Sequence, residues 1–142
     1  MTESWTSTNH PSHLDSLEIE ILNQRGVFHL PPRSICDDLV DIFFKWIAPV
    51  LPVVNKHGFM QKYNDLEDSP SILLLLAIFM TASRFYTTPE ELGSGSTVTP
   101  GTFYKKAKAL YDSGYEVDQI VVLQAVALMG IYWDGLDGML SP

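Results

Sequence analysis

With 142 residues, 46% hydrophobic and 18% charged, the chain is sized for one domain with a real core and is too apolar for wholesale disorder. Nine basic against 17 acidic residues leave a formal net charge of −8, which argues against direct nucleic-acid binding, because phosphate contacts need a clustered basic surface. The single cysteine, Cys36, excludes an intrachain disulfide and a multi-cysteine zinc site, and it fits a reducing compartment.

The first stretch, MTESWTSTNHPSHLDS, is rich in Ser, Thr, Asn, His and Pro and reads as a disordered lead-in. Asn9, His10, Pro11 and His13 stand where a secretory signal would have an apolar run. Leu14, Leu17, Ile19, Ile21 and Leu22 fit neither the helical nor the strand period well, so a short helix and a strand both remain open before Gly26. The lead-in, mostly disordered, is expected to run to residue 28, and Leu30-Pro31-Pro32 is a stiff extended entry to the next helix.

Ser34 is the expected N-cap of that helix, with Asp37 three residues on as a shortened capping box. Leu39, Ile42, Phe43, Trp46 and Ile47 form its apolar stripe, and Pro49 ends it. Pro52 keeps Leu51-Pro52-Val53-Val54 extended. Asn55 caps a short helix over residues 56–63 that sets Phe59 and Tyr63 on one side, although Gly58 weakens it by about 1 kcal/mol.

Asp65 to Pro70 is a polar loop, and Ser69-Pro70 is the expected cap and first position of another helix. Ile72 to Met80 is an unbroken apolar run that continues in helical pattern to Phe85, which predicts a helix buried on every side. Residues 87–100, with two prolines, two glycines and five Ser/Thr before the next cap, read as a flexible surface loop.

Thr99-Pro100 opens the next helix. Phe103, Ala107, Leu110 and Tyr111 make its apolar stripe, Lys108 and Asp112 form an i, i+4 pair, and Gly114 suits the left-handed stop. A last helix begins near Glu116–Asp118 and is apolar on nearly every face from Ile120 to Trp133, so it too is expected to be buried all round. At about 14 residues it is short of the roughly 20 that a bilayer span takes. DGLDGMLSP is a turn-like tail, with residues 136–142 outside the folded region.

Candidate chemistry is sparse. Gly93-Ser94-Gly95 has no strand before it and no Gly-Lys-Ser/Thr after it, so it is no phosphate loop. His10 and His13 lie three apart in expected coil, with no third ligand nearby. Cys36 and His57 make a nominal nucleophile and base with nothing to orient them; a buried thiol and a surface imidazole are the simpler reading. Lys105, Lys106 and Lys108 are the one basic cluster, read as a solvated helix face. Tyr104, Tyr111, Tyr132 and Trp133 read as core packing ahead of a ligand pocket. No catalytic, cofactor-binding or metal residue is assigned, and no enzyme is expected.

Three ordered blocks carry a resemblance: HLPPRSICDDLVDIFFKWIAPVLPVVNKHGFMQKY, SPSILLLLAIFMTASRFY and FYKKAKALYDSGYEVDQIVVLQAVALMGIYWDG. Together they resemble the amino-terminal part of the fungal-specific transcription factor domain, the middle homology region of zinc binuclear cluster activators, nearest the branch of cutinase and fatty-acid-responsive regulators. The resemblance covers residues 29–135. It implies an all-α fold, an antiparallel array of about five helices resembling an incomplete α-solenoid. In that family the domain follows a six-cysteine zinc cluster and a dimerising coiled coil, and it regulates activation by intramolecular contacts or inducer sensing.

The six-cysteine cluster, the basic linker and the leucine heptads have no counterpart in this sequence, so zinc and base recognition transfer to no residue here. Zinc is expected in full-length relatives only. The family domain continues for further helices past Tyr132-Trp133, so the expectation is a regulatory, non-DNA-contacting portion of such a factor, a fragment or truncated paralogue. Two alternatives stand beside it: a stand-alone helical module that binds a full-length factor, and a lipid- or small-molecule-binding module. Helices lacking cover predict an exposed apolar patch that meets a protein partner or a second copy, with no membrane and no direct nucleic acid. The resemblance implies a nuclear location; without it the chain reads as cytoplasmic.

Overall fold

A computed structural model describes residues 14–65, 67, 69–86 and 98–130. The described residues form six helices and no strand: α1 (Ser16–Gln24), α2 (Arg33–Ile42), α3 (Lys56–Tyr63), α4 (Ile72–Ala82), α5 (Pro100–Ser113) and α6 (Gln119–Gly130). The all-α expectation holds, with one helix more than the five or so expected.

The additional helix, α1, settles the ambiguous stretch before Gly26. Its start is a reciprocal capping box: Glu18 N–H donates to Asp15 Oδ1 at 2.8 Å, and Asp15 N–H donates to Glu18 Oε1 at 2.9 Å. Gly26, at φ +71°, turns the chain after it, and Val27 and Phe28 enter the core. Helical and core structure is therefore described before residue 29, in α1, Val27 and Phe28. Residues 1–13, including His10 and His13, lie outside the described residues.

α2 starts one residue earlier than its expected cap. Pro32 occupies the N-cap position with no side-chain cap, and Arg33 opens the helix, so Ser34 and Asp37 form no capping box. Asp37 accepts from the Arg33 guanidinium one turn back instead.

The helix then widens into a π-helical segment, Phe43–Ile47, where Ala48 N–H donates to Phe43 O at 2.9 Å. This i→i+5 closure inserts one residue into the register. Phe43 and Ile47 stay buried, but Trp46 is rotated out to 59% exposure. Trp46 is thus no part of the buried stripe, a correction that stems from that single inserted residue.

α3 matches its expected limits, capped by Asn55 Oδ1 accepting from Gly58 N–H at 2.8 Å. Phe59 and Tyr63 are buried on its inner side with rings stacked at 5.7 Å.

α4 is the centre of the molecule. Its cap is Ser71, whose Oγ accepts from Leu74 N–H at 3.4 Å, so Ser69-Pro70 precede the helix and do not open it. All eleven residues are buried, as an all-round apolar helix requires. The two buried hydroxyls near its end are satisfied locally: Thr81 Oγ1 donates to Ile78 O and Ser83 Oγ to Met80 O. Each fully buried Leu, Ile or Phe contributes about 1.5–3 kcal/mol over an exposed one, which makes α4 the main source of core stabilisation.

α2 with its π segment, α5 and α6 all pack on α4. Phe79 of α4 and Phe103 of α5 meet edge to face with ring centroids 5.6 Å apart. α5 obeys its expected signals, from Thr99 Oγ1 accepting from Thr102 N–H to Gly114 at φ +71°. Tyr111 departs from the expected stripe and is 46% exposed. Residues 87–97, which contain most of the expected flexible loop and Gly93-Ser94-Gly95, lie outside the described residues, as do residues 131–142 with Tyr132 and Trp133.

α6 overturns a second burial expectation. Ala125, Leu128 and Met129 face α4 and are buried, whereas Ile120 is 69% and Leu123 68% exposed, with Val126 also outward. A helix can be apolar on every face and still be covered on one only, because coverage depends on neighbours and α6 packs mainly on α4.

Candidate functional site

The sequence candidates for catalysis do not form a site. Cys36 is fully buried and its Sγ donates to Pro31 O at 3.4 Å, while His57 is exposed on α3. Among the described residues no three His, Cys, Asp or Glu side chains are grouped to hold a metal ion. No described helix is long and apolar enough to cross a membrane.

The lysine cluster of α5 is divided among three environments. Lys105 is exposed. Lys106 folds inward, donates from Nζ to His29 O at 2.8 Å, and has its pKa lowered by burial. Lys108 pairs with Asp112 at 2.9 Å, and that hydrogen bond raises its pKa. One lysine of the three therefore serves as a brace between α5 and the turn after α1, and another is charge-compensated.

A compact polar cluster joins α2 to α3. Tyr63 Oη donates to Asp37 Oδ1 at 2.6 Å, Arg33 Nε pairs with the same oxygen at 3.0 Å, and Arg33 also donates to Tyr63 O at 3.2 Å. The Arg33 guanidinium lies 4.1 Å from the Tyr63 ring centroid. Burial, followed by the bond to Asp37, pushes the Tyr63 phenol well above its usual range, so it stays neutral and acts as a donor only. The cluster holds two helices together, with Tyr63 as its neutral donor. The i, i+4 spacing of Arg33 and Asp37 was a local signal for their pair, although Asp37 was expected in a capping box with Ser34; Tyr63, 26 residues away from Asp37, gave no such signal.

Of the candidate aromatics within the described residues, Tyr104 is half-buried and Tyr111 points outward. Tyr115 instead meets Phe28 at 5.3 Å, and burial with the Glu116 carboxylate beside it raises its pKa.

The remaining distinctive surface is the outer side of α6. Val117, Ile120, Leu123 and Val126 are all exposed there. Asp118 caps the helix, its Oδ1 accepting from Ile120 N–H at 2.9 Å, and Glu116 Oε2 accepts from Asp118 N–H at 3.0 Å. On one edge Gln124 Nε2 donates to Val53 O at 2.9 Å, which anchors α6 to the extended segment after α2. This surface is apolar along a helix and acidic at its start.

Comparison with known proteins gives this surface its setting. The model of the fungal specific transcription factor domain matches residues 40–138. The cutinase transcription factor 1 alpha of Fusarium vanettenii is 44% identical over 126 residues, covering 87% of this chain and 14% of that protein. A fusaric acid cluster transcription factor of Gibberella fujikuroi is 32% identical over 125 residues, 86% of this chain and 19% of the relative. The acetamidase regulatory protein of Aspergillus fumigatus is 31% identical over 114 residues, 79% of this chain and 14% of the relative. The chain thus spans between 14% and 19% of the length of these curated relatives. No solved structure matches it. The chain belongs to the fungal-specific transcription factor domain family.

Proposed function

From that membership we propose that the chain is a regulatory, non-DNA-contacting portion of a fungal transcription factor, working in the nucleus by contact with protein and carrying out no catalysis of its own. The observation that carries this reading is the family match over residues 40–138 together with the way the basic residues of α5 are used. Lys106 is bonded to His29 O and Lys108 to Asp112, in a chain of net charge −8. Neither arrangement favours a row of phosphate contacts. The relatives' names describe transcription factors, and those whole proteins are five to seven times longer than the matched segment.

The test is a reporter assay in which the chain is placed between a heterologous DNA-binding domain and an activation domain, beside a gel-shift assay of the chain alone. Regulation predicts a changed reporter output with the chain in place and no retardation of duplex DNA at low salt. Salt-sensitive DNA binding by the chain, or an output identical with a neutral spacer, overturns the reading.

A further inference from the structure

We propose that the outer face of α6 is a docking seat for one amphipathic helix whose apolar stripe is flanked by lysine or arginine. The inference deepens the regulatory reading above and rests on it for its biological setting, although the surface can be tested without it.

Three observations converge. The face is apolar and open: Ile120 and Leu123 are 69% and 68% exposed, and Val117 beside them is 64% exposed. Ile120, Leu123, Ala127 and Gly130 recur at intervals of three, four and three, the seam along which a second helix lies. The large side chains sit at the start of that seam. At its other end Gly130 is exposed, and no described residue lies within 4 Å of where its Cβ would be. The seam is one helix wide, and Gln124, bonded to Val53 O, closes one edge.

Charge selects the occupant. From Ala109 to Gly130 the sequence contains the carboxylates Asp112, Glu116 and Asp118 and no Lys, Arg or His. Asp112 is compensated by Lys108, whereas Glu116 and Asp118 stand at the start of the apolar seam and, among the described residues, accept backbone N–H bonds from Asp118, Ile120 and Val121. Across the Gln124 edge the nearest lysine in sequence to Val53 is Lys56, whose Nζ sits 5.8 Å over the Phe44 ring. A second copy would bring another net charge of −8 against the same acidic end, and an anionic lipid surface would be repelled likewise. A helix with basic flanks gains steering and register from the same carboxylates.

The experiment uses the full chain and two fluorescent synthetic helical peptides with an identical leucine stripe at i, i+3, i+4 and i+7, one flanked by lysines and the other by glutamates. Anisotropy titration is expected to show saturable binding of the lysine peptide, at least tenfold tighter than the glutamate peptide and weakened severalfold by added salt. Leu123→Glu and, separately, Ile120→Ser should each weaken it at least tenfold while circular dichroism of the chain is unchanged, since both side chains point to solvent. Equal binding of the two peptides overturns the proposal, as does binding indifferent to both substitutions. Sedimentation showing a dimer abolished by Leu123→Glu assigns the face to a second copy and also overturns it. Peptide binding with an unmoved reporter would remove the regulatory reading and leave the docking seat; a regulated reporter without peptide binding would do the reverse.

Discussion

The hydroxyl of Tyr63 donates to Asp37 Oδ1 at 2.6 Å, joining α3 to α2 across a separation of 26 residues, while Arg33 covers the Tyr63 ring from above. Asp37 is otherwise a surface carboxylate, with its side chain 55% exposed. The link is therefore worth the modest amount of a solvent-screened hydrogen bond.

Tyr63→Phe should destabilise the chain by about 0.5–1.5 kcal/mol at neutral pH, measured by urea denaturation. The effect should depend on pH at the alkaline end. Burial raises the Tyr63 phenol in the folded state, so the unfolded chain loses that proton first, at pH about 10. The folded state's advantage is complete below that pH and is lost as pH rises from there toward the raised folded value. The Phe variant should lack this share of the alkaline loss. An alkaline limb identical in the two proteins would refute the assignment.

Phe103→Ala removes the α5 side of the edge-to-face contact with Phe79 at the most enclosed part of the core. A loss of about 3–5 kcal/mol is expected, read as a lower denaturation midpoint with little change in slope. A loss below 1 kcal/mol, on the order of a surface substitution, would mean that α5 does not seal α4 as described.

Gly114→Ala tests the turn between α5 and α6. The position has φ +71° with no described residue within 4 Å of the missing Cβ, so backbone strain is the expected cost, about 1–2 kcal/mol. Thermal melts should show the loss, and Gly114→Asn should recover part of it, because asparagine tolerates the left-handed region better than alanine.

Cys36 is fully buried with its thiol donating to Pro31 O, so a thiol reagent should leave the native chain unlabelled and label it once in denaturant. Labelling at the rate of a free thiol under native conditions would show that α2 does not sit against the core.

Local signals were legible because they are local. Asn55, Thr99-Pro100 and Gly114 each act on residues within one turn, and the limits of α3 and α5 come from them. The burial of α4 was legible for a different reason: eleven consecutive residues without a charge leave no side for water. The family likewise rests on the order of sequence blocks, since the match covers residues 40–138.

Tertiary structure decided the rest, wherever the outcome depends on what another part of the chain brings. The π turn at Phe43–Ile47 moves Trp46 to solvent by inserting one residue into a pattern that reads as a regular stripe. Asp37 was free by sequence to cap its own helix and bonds Tyr63 and Arg33 instead. The apolar pattern of α6 is nearly the same on all sides, so it carries no information about which side is covered. Packing of α4 against one face alone leaves Ile120 and Leu123 outward, because hydrophobic burial has no direction of its own and takes it from the neighbours a helix meets.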